Sequence, residues 1–238
     1  MTGSLRLHRT HFPVRVLGPG TRAGIWVQGC GIGCAGCMSR DTWDPAGGRV
    51  VAVAELLGWV AGLPRTATGV TVSGGEPFEQ AESLAELLDG IAALARQREA
   101  PVDVMVYSGF TLAALRRSPA RRALLERCDV VATGPFVPGR APGGSWRGSA
   151  NQRLVVRTEL GRRRFGADAD ADGFRPGLQA VLDSRPSATP RLRVIGVPAP
   201  GELERLERGL AERGLGLVAA SWREPGPDGS EPVEQAAG

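Results

Sequence analysis

A chain of 238 residues with 29 Arg, no Lys and 25 Asp plus Glu carries a formal net charge of +4, with its basic residues spread along the whole length. That balance offers no concentrated basic stripe for nucleic acid, and the absence of lysine excludes Schiff-base catalysis. The first residues, MTGSLRLHRTHFPVRV, hold no apolar signal core, and Glu55 breaks the longest apolar run, VVAVAELLGWVAGL, short of the ~20 residues that span a bilayer; a cytoplasmic protein with no membrane partner is expected.

In chain order the pattern predicts a strand at 25–29 (IWVQG), a helix at 52–62, a strand at 69–74 (GVTVSG), a helix at 78–97 and a strand at 102–109 (VDVMVYSG). A helix at 111–127, strands at 129–133, 153–158 and 191–197, and a helix at 201–213 follow. Short β-rich runs alternating with amphipathic ones indicate an α/β fold with a mainly parallel sheet, in a single domain over 1–222. Ala81, Leu84, Leu87, Leu88, Ile91 and Leu94 recur at helical spacing and form a core stripe.

Three segments interrupt this rhythm. Residues 134–150, GPFVPGRAPGGSWRGSA, read as an ordered surface loop around Trp146; 159–190 reads as an irregular charged insertion; 223–238 reads as a disordered polar tail. DADADG at 168–173 resembles the start of a calcium loop, but its register puts Gln179 where a bidentate Glu belongs, so a solvated acidic loop is expected.

The stretch GCGIGCAGC gathers Cys30, Cys34 and Cys37 as C-x3-C-x2-C. Cytosolic thiols stay reduced, which favours metal over disulfides, and a closed zinc site needs a fourth ligand. The remaining Cys128, in LLERCDVV, reads as a buried position; His8 and His11 read as surface or core imidazoles. Three thiolates without a fourth suit an iron–sulfur cluster with one iron open to another ligand. One helix and one strand later comes SGGEP, Ser73 to Pro77. Its glycines at a strand's carboxyl end leave carbonyls facing a ligand, and Glu76 favours a cation.

These motifs, in this order, resemble those of the radical S-adenosylmethionine (radical SAM) enzymes. The stretches GPGTRAGIWVQGC, CMSRDTWDPAGG, GVTVSGGEPFEQA, VMVYSGFTLAAL, CDVVATGPF and SWRGSANQRL resemble one branch, the activating proteins of anaerobic ribonucleotide reductase and other glycyl radical enzymes. The likeness runs from Gly18 to Leu154, and LRVIGVP with the next helix extends it to about residue 215. It implies a partial (β/α)6 barrel with a [4Fe-4S] cluster on Cys30, Cys34 and Cys37 at its open end. It further implies S-adenosylmethionine on the open iron, cleaved by one electron to methionine and a 5′-deoxyadenosyl radical that removes a hydrogen from a glycine Cα. The implied partners are a glycyl radical enzyme and a reductant such as flavodoxin or ferredoxin.

The same resemblance places Ser73, Gly74, Gly75, Glu76 and Pro77 at the methionine end of the cofactor and Ser108 at the barrel mouth, with a helix-capping hydroxyl as the alternative for Ser108. It places Asn151 and Gln152, with Arg147 and Ser149, near cofactor or partner, with a rim-shaping loop as the alternative. Trp26 and Trp43 are expected to shield the cluster and Tyr107 to pack. Two positions depart from the branch: Thr133 stands where relatives commonly have an acid, and Ser39 where they have Asn; both bear on the substrate and leave the cluster ligands untouched. Two other readings stand beside this one: the same radical chemistry on a small molecule or peptide in a biosynthetic or defence pathway, and a non-catalytic iron–sulfur or electron-carrier module, against which SGGEP weighs.

Overall fold

The computed structural model describes residues 3–166, 177–183, 191–217 and 220–223. Seven strands form one sheet: β1 (Ser4–Val14), β2 (Arg22–Val27), β3 (Arg49–Ala52), β4 (Gly69–Gly74), β5 (Asp103–Ser108), β6 (Val130–Thr133) and β7 (Arg153–Val156). Their order is β3-β1-β2-β4-β5-β6-β7. The central four, β2, β4, β5 and β6, are parallel, so their carboxyl ends lie along one edge; β1, β3 and β7 pair antiparallel. Strands β8 (Gln179–Asp183) and β9 (Arg191–Ile195) form a separate antiparallel pair. The result is a mixed α/β domain with a parallel-rich sheet.

Alternation along the strands builds two layers against this sheet. On one face Ile25, Val27, Val70, Val72, Val104 and Val106 pack with Leu56 of α1 (Val53–Ala61) and with Leu84, Leu88 and Ile91 of α2 (Ala81–Gln97). The stripe expected along 78–97 is therefore core, each fully buried Leu contributing ~1.5–3 kcal/mol. On the other face Met105 and Ala132 meet Trp146 and Phe165, while Val14, Leu17 and Trp26 meet Ile195, Val181 and Val197 from around β8 and β9; Tyr107 touches both groups.

At the amino ends of the parallel strands Arg22 and Asp103 form an ion pair at 2.6 Å with neither side chain exposed to solvent. Arg22 also donates to Thr71 Oγ1 at 2.6 Å and to the Val70 carbonyl at 2.8 Å, so the charge is both paired and hydrogen-bonded, as burial demands.

The expected helix over 111–127 is two: α3 (Leu112–Arg117) and α4 (Pro119–Leu125). Pro119 has no amide to continue the ladder and forces Ser118 into extended backbone, where its hydroxyl caps α4. Strand β1 was not anticipated: a bulge between Leu7 and Arg9 resets its alternation, and Arg6, His8, Arg9 and His11 stand among its apolar residues. Within 159–190 stand α5 (Glu159–Phe165) and β8; helix α6 (Glu202–Ala211) follows β9. Trp146, expected in a surface loop, is 3% exposed and stacks edge-on against Phe165, ring centroids 5.2 Å apart. The DADADG segment and the tail beyond 223 lie outside the described residues.

Candidate functional site

Past Val27 the chain leaves the carboxyl edge of the sheet and turns into the cysteine loop. Cys30, Cys34 and Cys37 are half-buried free thiols. The loop is held from behind by its return limb: Gly29 N–H donates to the Thr42 carbonyl at 2.8 Å and Cys30 N–H to the Trp43 carbonyl at 3.0 Å. Gln28 fastens that limb, donating to the Asp41 and Asp44 carbonyls, while His8 bridges Gln28 Oε1 at 2.9 Å and Asp41 at 3.2 Å.

Backbone amides converge on the sulfurs. The amides of Ile32 and Gly33 lie beside Cys30 and that of Phe136 beside Cys34, and Ser39 N–H lies 3.4 Å from Cys37 Sγ. Burial pushes the Cys30 and Cys34 thiols up and these amides oppose it. Half-buried sulfurs with amide dipoles beside them suit metal ligation, in which iron takes the place of the thiol proton. Among the described residues no three His, Cys, Asp or Glu side chains converge on one metal ion. A [4Fe-4S] cluster takes Cys thiolates on separate irons, and three half-buried thiols in one loop fit it, with one iron left for another ligand.

The SGGEP segment lies directly against that loop. Gly75 N–H donates to the Val27 carbonyl and Glu76 N–H to the Gly29 carbonyl, both at 2.8 Å. A Cβ on Gly75 would sit 2.0 Å from the Gly29 oxygen, so only glycine permits this approach. Ser73 pairs with Trp26 in the β2–β4 register.

Glu76 is 1% exposed, and both its oxygens are met by protein donors. Oε1 accepts Ser108 Oγ–H and Phe78 N–H, each at 2.9 Å, and Oε2 accepts Gly109 N–H at 2.7 Å. Burial pushes its carboxyl up to about 7 against the pull of those donors. Ser108 also accepts Phe110 N–H at 3.1 Å, while Thr111 caps α3. Ser108 thus links Glu76 to the turn after β5.

Pro77 opens a 3-10 turn, Pro77–Gln80, whose last two side chains went unread in the sequence. Glu79 accepts Gly31 N–H in the cysteine loop. Gln80 accepts Arg6 N–H at 2.7 Å and donates to the Arg6 and Gln28 carbonyls at 3.0 Å. Glu76, Glu79 and Gln80 therefore reach β5, the cysteine loop and β1 from one turn. The only signal for them was long polar side chains beside the buried Phe78.

The WRGSANQ segment grips the loop that follows β6. Gln152 donates to the Gly134 carbonyl at 2.9 Å and accepts the amides of Gly148 and Ser149; Asn151 donates to the Pro135 carbonyl at 2.8 Å; Ser149 Oγ accepts Val137 N–H at 3.1 Å. Between these anchors stands Phe136, whose amide lies beside Cys34. Asn151 Oδ1 and Arg147 Nε are buried and have no hydrogen-bond partner among the described residues. Thr133 Oγ1 donates to the Arg153 carbonyl at 3.3 Å within the β6–β7 pair.

Trp26 is buried under the Arg9 guanidinium at 5.2 Å, and Trp43 lies under Arg40 at 5.6 Å. Tyr107 is packed inside, with burial raising its phenol. Cys128 is fully buried, its thiol pushed up to about 12 by burial and bonded to the Leu124 carbonyl. His11 is pushed down by burial and by Arg193 and Arg9. Among the described residues no helix is long and apolar enough to cross a membrane.

The profile of the family described as 4Fe-4S single cluster domain matches residues 16–155. An anaerobic ribonucleoside-triphosphate reductase-activating protein of Vibrio cholerae is 35% identical over 151 residues, 61% of this chain and 94% of that protein. Its counterpart in Pasteurella multocida is 32% identical over 155 residues, 63% of this chain and 96% of that protein. A pyruvate formate-lyase-activating enzyme of Clostridium pasteurianum is 39% identical over 87 residues, 35% of this chain and 37% of that enzyme.

Proposed function

The chain belongs to the 4Fe-4S single cluster domain family, in its radical SAM activating-enzyme branch, and on that premise we propose that it installs a glycyl radical on a partner enzyme such as an anaerobic ribonucleotide reductase. The observation that carries this reading is the contact between the cysteine loop and the glycine pair, Glu76 N–H to the Gly29 carbonyl at 2.8 Å, which joins the cluster ligands and the cofactor motif in one unit. When bound, the cluster and S-adenosylmethionine supply one-electron cleavage to methionine and a 5′-deoxyadenosyl radical.

The protein's own residues hold and orient. Cys30, Cys34 and Cys37 would ligate the cluster, with the amides of Ile32, Gly33 and Phe136 beside Cys30 and Cys34. The backbone of Ser73, Gly74 and Gly75 receives the methionine end, with Pro77 ending that edge of the site. Glu76 and Ser108 keep the edge rigid by clamping β4 to β5, since their polar atoms engage protein donors. Asn151, whose buried Oδ1 is an acceptor not used by the protein, and Gln152 form the opposite rim. The fold reads as a shortened relative of the partial (β/α)6 barrel, with β2, β4, β5 and β6 as its parallel wall, and a flavodoxin- or ferredoxin-like donor supplies the electron.

The test is electron paramagnetic resonance on an anaerobic mixture of the reconstituted, reduced protein, S-adenosylmethionine and a candidate glycyl radical enzyme. A glycyl radical signal that needs all three supports the reading, and its absence with every candidate partner, while S-adenosylmethionine is still cleaved, moves the substrate elsewhere. One observation favours a second reading, action on a small molecule or peptide. Val181, Ile195 and Val197, outside the matched residues 16–155, cover Trp26 on the inner face of the sheet.

A further inference from the structure

Glu79 is exposed on the 3-10 turn after the glycine pair, and both its carboxylate oxygens face the Gly31 amide, at 3.1 and 3.2 Å. Gly31 directly follows Cys30. A Cβ at Gly31 would lie 2.9 Å from Glu79 Oε1, so the glycine lets the carboxylate close on the amide.

Two physical effects follow from this contact. The Gly31 N–H, engaged by a carboxylate, is not available to a cluster sulfur, whereas N–H···S bonds favour the reduced, more negative state. A full negative charge is also held one residue from a ligating cysteine, where Coulomb repulsion opposes the added electron. Both effects act in the same direction.

We propose that Glu79 is a positioning residue that holds the Gly31 amide off the cluster and, through its charge, lowers the cluster's reduction potential, making the reduced form a stronger electron donor. This rests on the proposed cluster at Cys30, Cys34 and Cys37.

The test is a potentiometric titration of the reconstituted full chain, read by absorbance and electron paramagnetic resonance, with no substrate present. Glu79→Gln keeps an oxygen for Gly31 and removes the charge; at a fixed potential its ratio of reduced to oxidised cluster is expected to rise about fivefold at low salt and by less at high salt, because Glu79 is exposed. Glu79→Asp keeps the charge and is expected to stay within about twofold of the wild type. A Glu79→Gln titration that superimposes on the wild type overturns this proposal and leaves the cluster reading standing. A wild-type chain that assembles no cluster overturns both. Should Glu79→Gln hold no iron, Glu79→Asp decides: a wild-type potential supports the role of the charge, and a raised one overturns it.

Discussion

Glu76 Oε2 accepts the Gly109 amide at 2.7 Å and so ties the carboxyl end of β4 to that of β5 beside the cysteine loop. The carboxylate that the motif suggests for the cofactor's amino group also braces two strands in the folded chain.

Because burial lifts the Glu76 carboxyl from its usual 4.5 to about 7, the folded chain binds more protons than the unfolded one between those values. Stability from this group is therefore greatest below about pH 4.5, falls as the pH rises to about 7 and is flat above it. Urea unfolding of the metal-free chain across that window should show this slope in the wild type, and Glu76→Gln should flatten it. An equal slope in both would place the pH dependence on other groups.

The cysteines divide sharply. Replacing Cys30, Cys34 or Cys37 by Ala should abolish retained iron and the cluster's visible absorption, whereas Cys128→Ala should keep wild-type iron, because Cys128 is fully buried in the helix-side core. Its cost should be stability alone, about 1–2 kcal/mol by denaturant unfolding.

At the other end of the strands, Asp103→Ala leaves Arg22 charged and buried without its counter-ion. Unfolding free energy should fall by about 3–5 kcal/mol, while iron bound per folded molecule stays unchanged, since the pair lies at the amino ends of β2 and β5. Loss of iron from the folded variant would contradict this separation.

Gln152→Ala removes the bonds to Gly134, Gly148 and Ser149 that hold the Phe136 loop. With the loop whose Phe136 amide lies beside Cys34 loosened, the cluster should lose iron to a chelator several-fold faster, alongside a stability loss of about 1–3 kcal/mol. Gln152→Glu, which keeps the acceptor for both amides, should fall between.

The parallel wall was legible because its strands are short apolar runs rich in Val that end at or before glycine (Gly74, Gly109, Gly134): 69–74 coincides with β4, and the strands expected at 102–109 and 129–133 overlap β5 and β6. β1 was not, because its bulge breaks the alternation that marks a half-buried strand. The strand expected at 191–197 exists as β9, but only the fold could say that its partner is β8 and not the main sheet. In the site, the cysteines and the glycine pair announce themselves by spacing. Glu79 and Gln80 do not: each acts on an element 48 or 74 residues away in sequence, and nothing local distinguishes them from surface residues.

The central claim is radical SAM chemistry at Cys30, Cys34 and Cys37. Its most direct test is to reconstitute the chain anaerobically with iron and sulfide, reduce it with dithionite, add S-adenosylmethionine and quantify 5′-deoxyadenosine and methionine by chromatography and mass spectrometry. Both products should form in the wild type and vanish in Cys34→Ala. An intact, reduced cluster that yields neither product would contradict the account and leave an iron–sulfur binding or electron-carrier role.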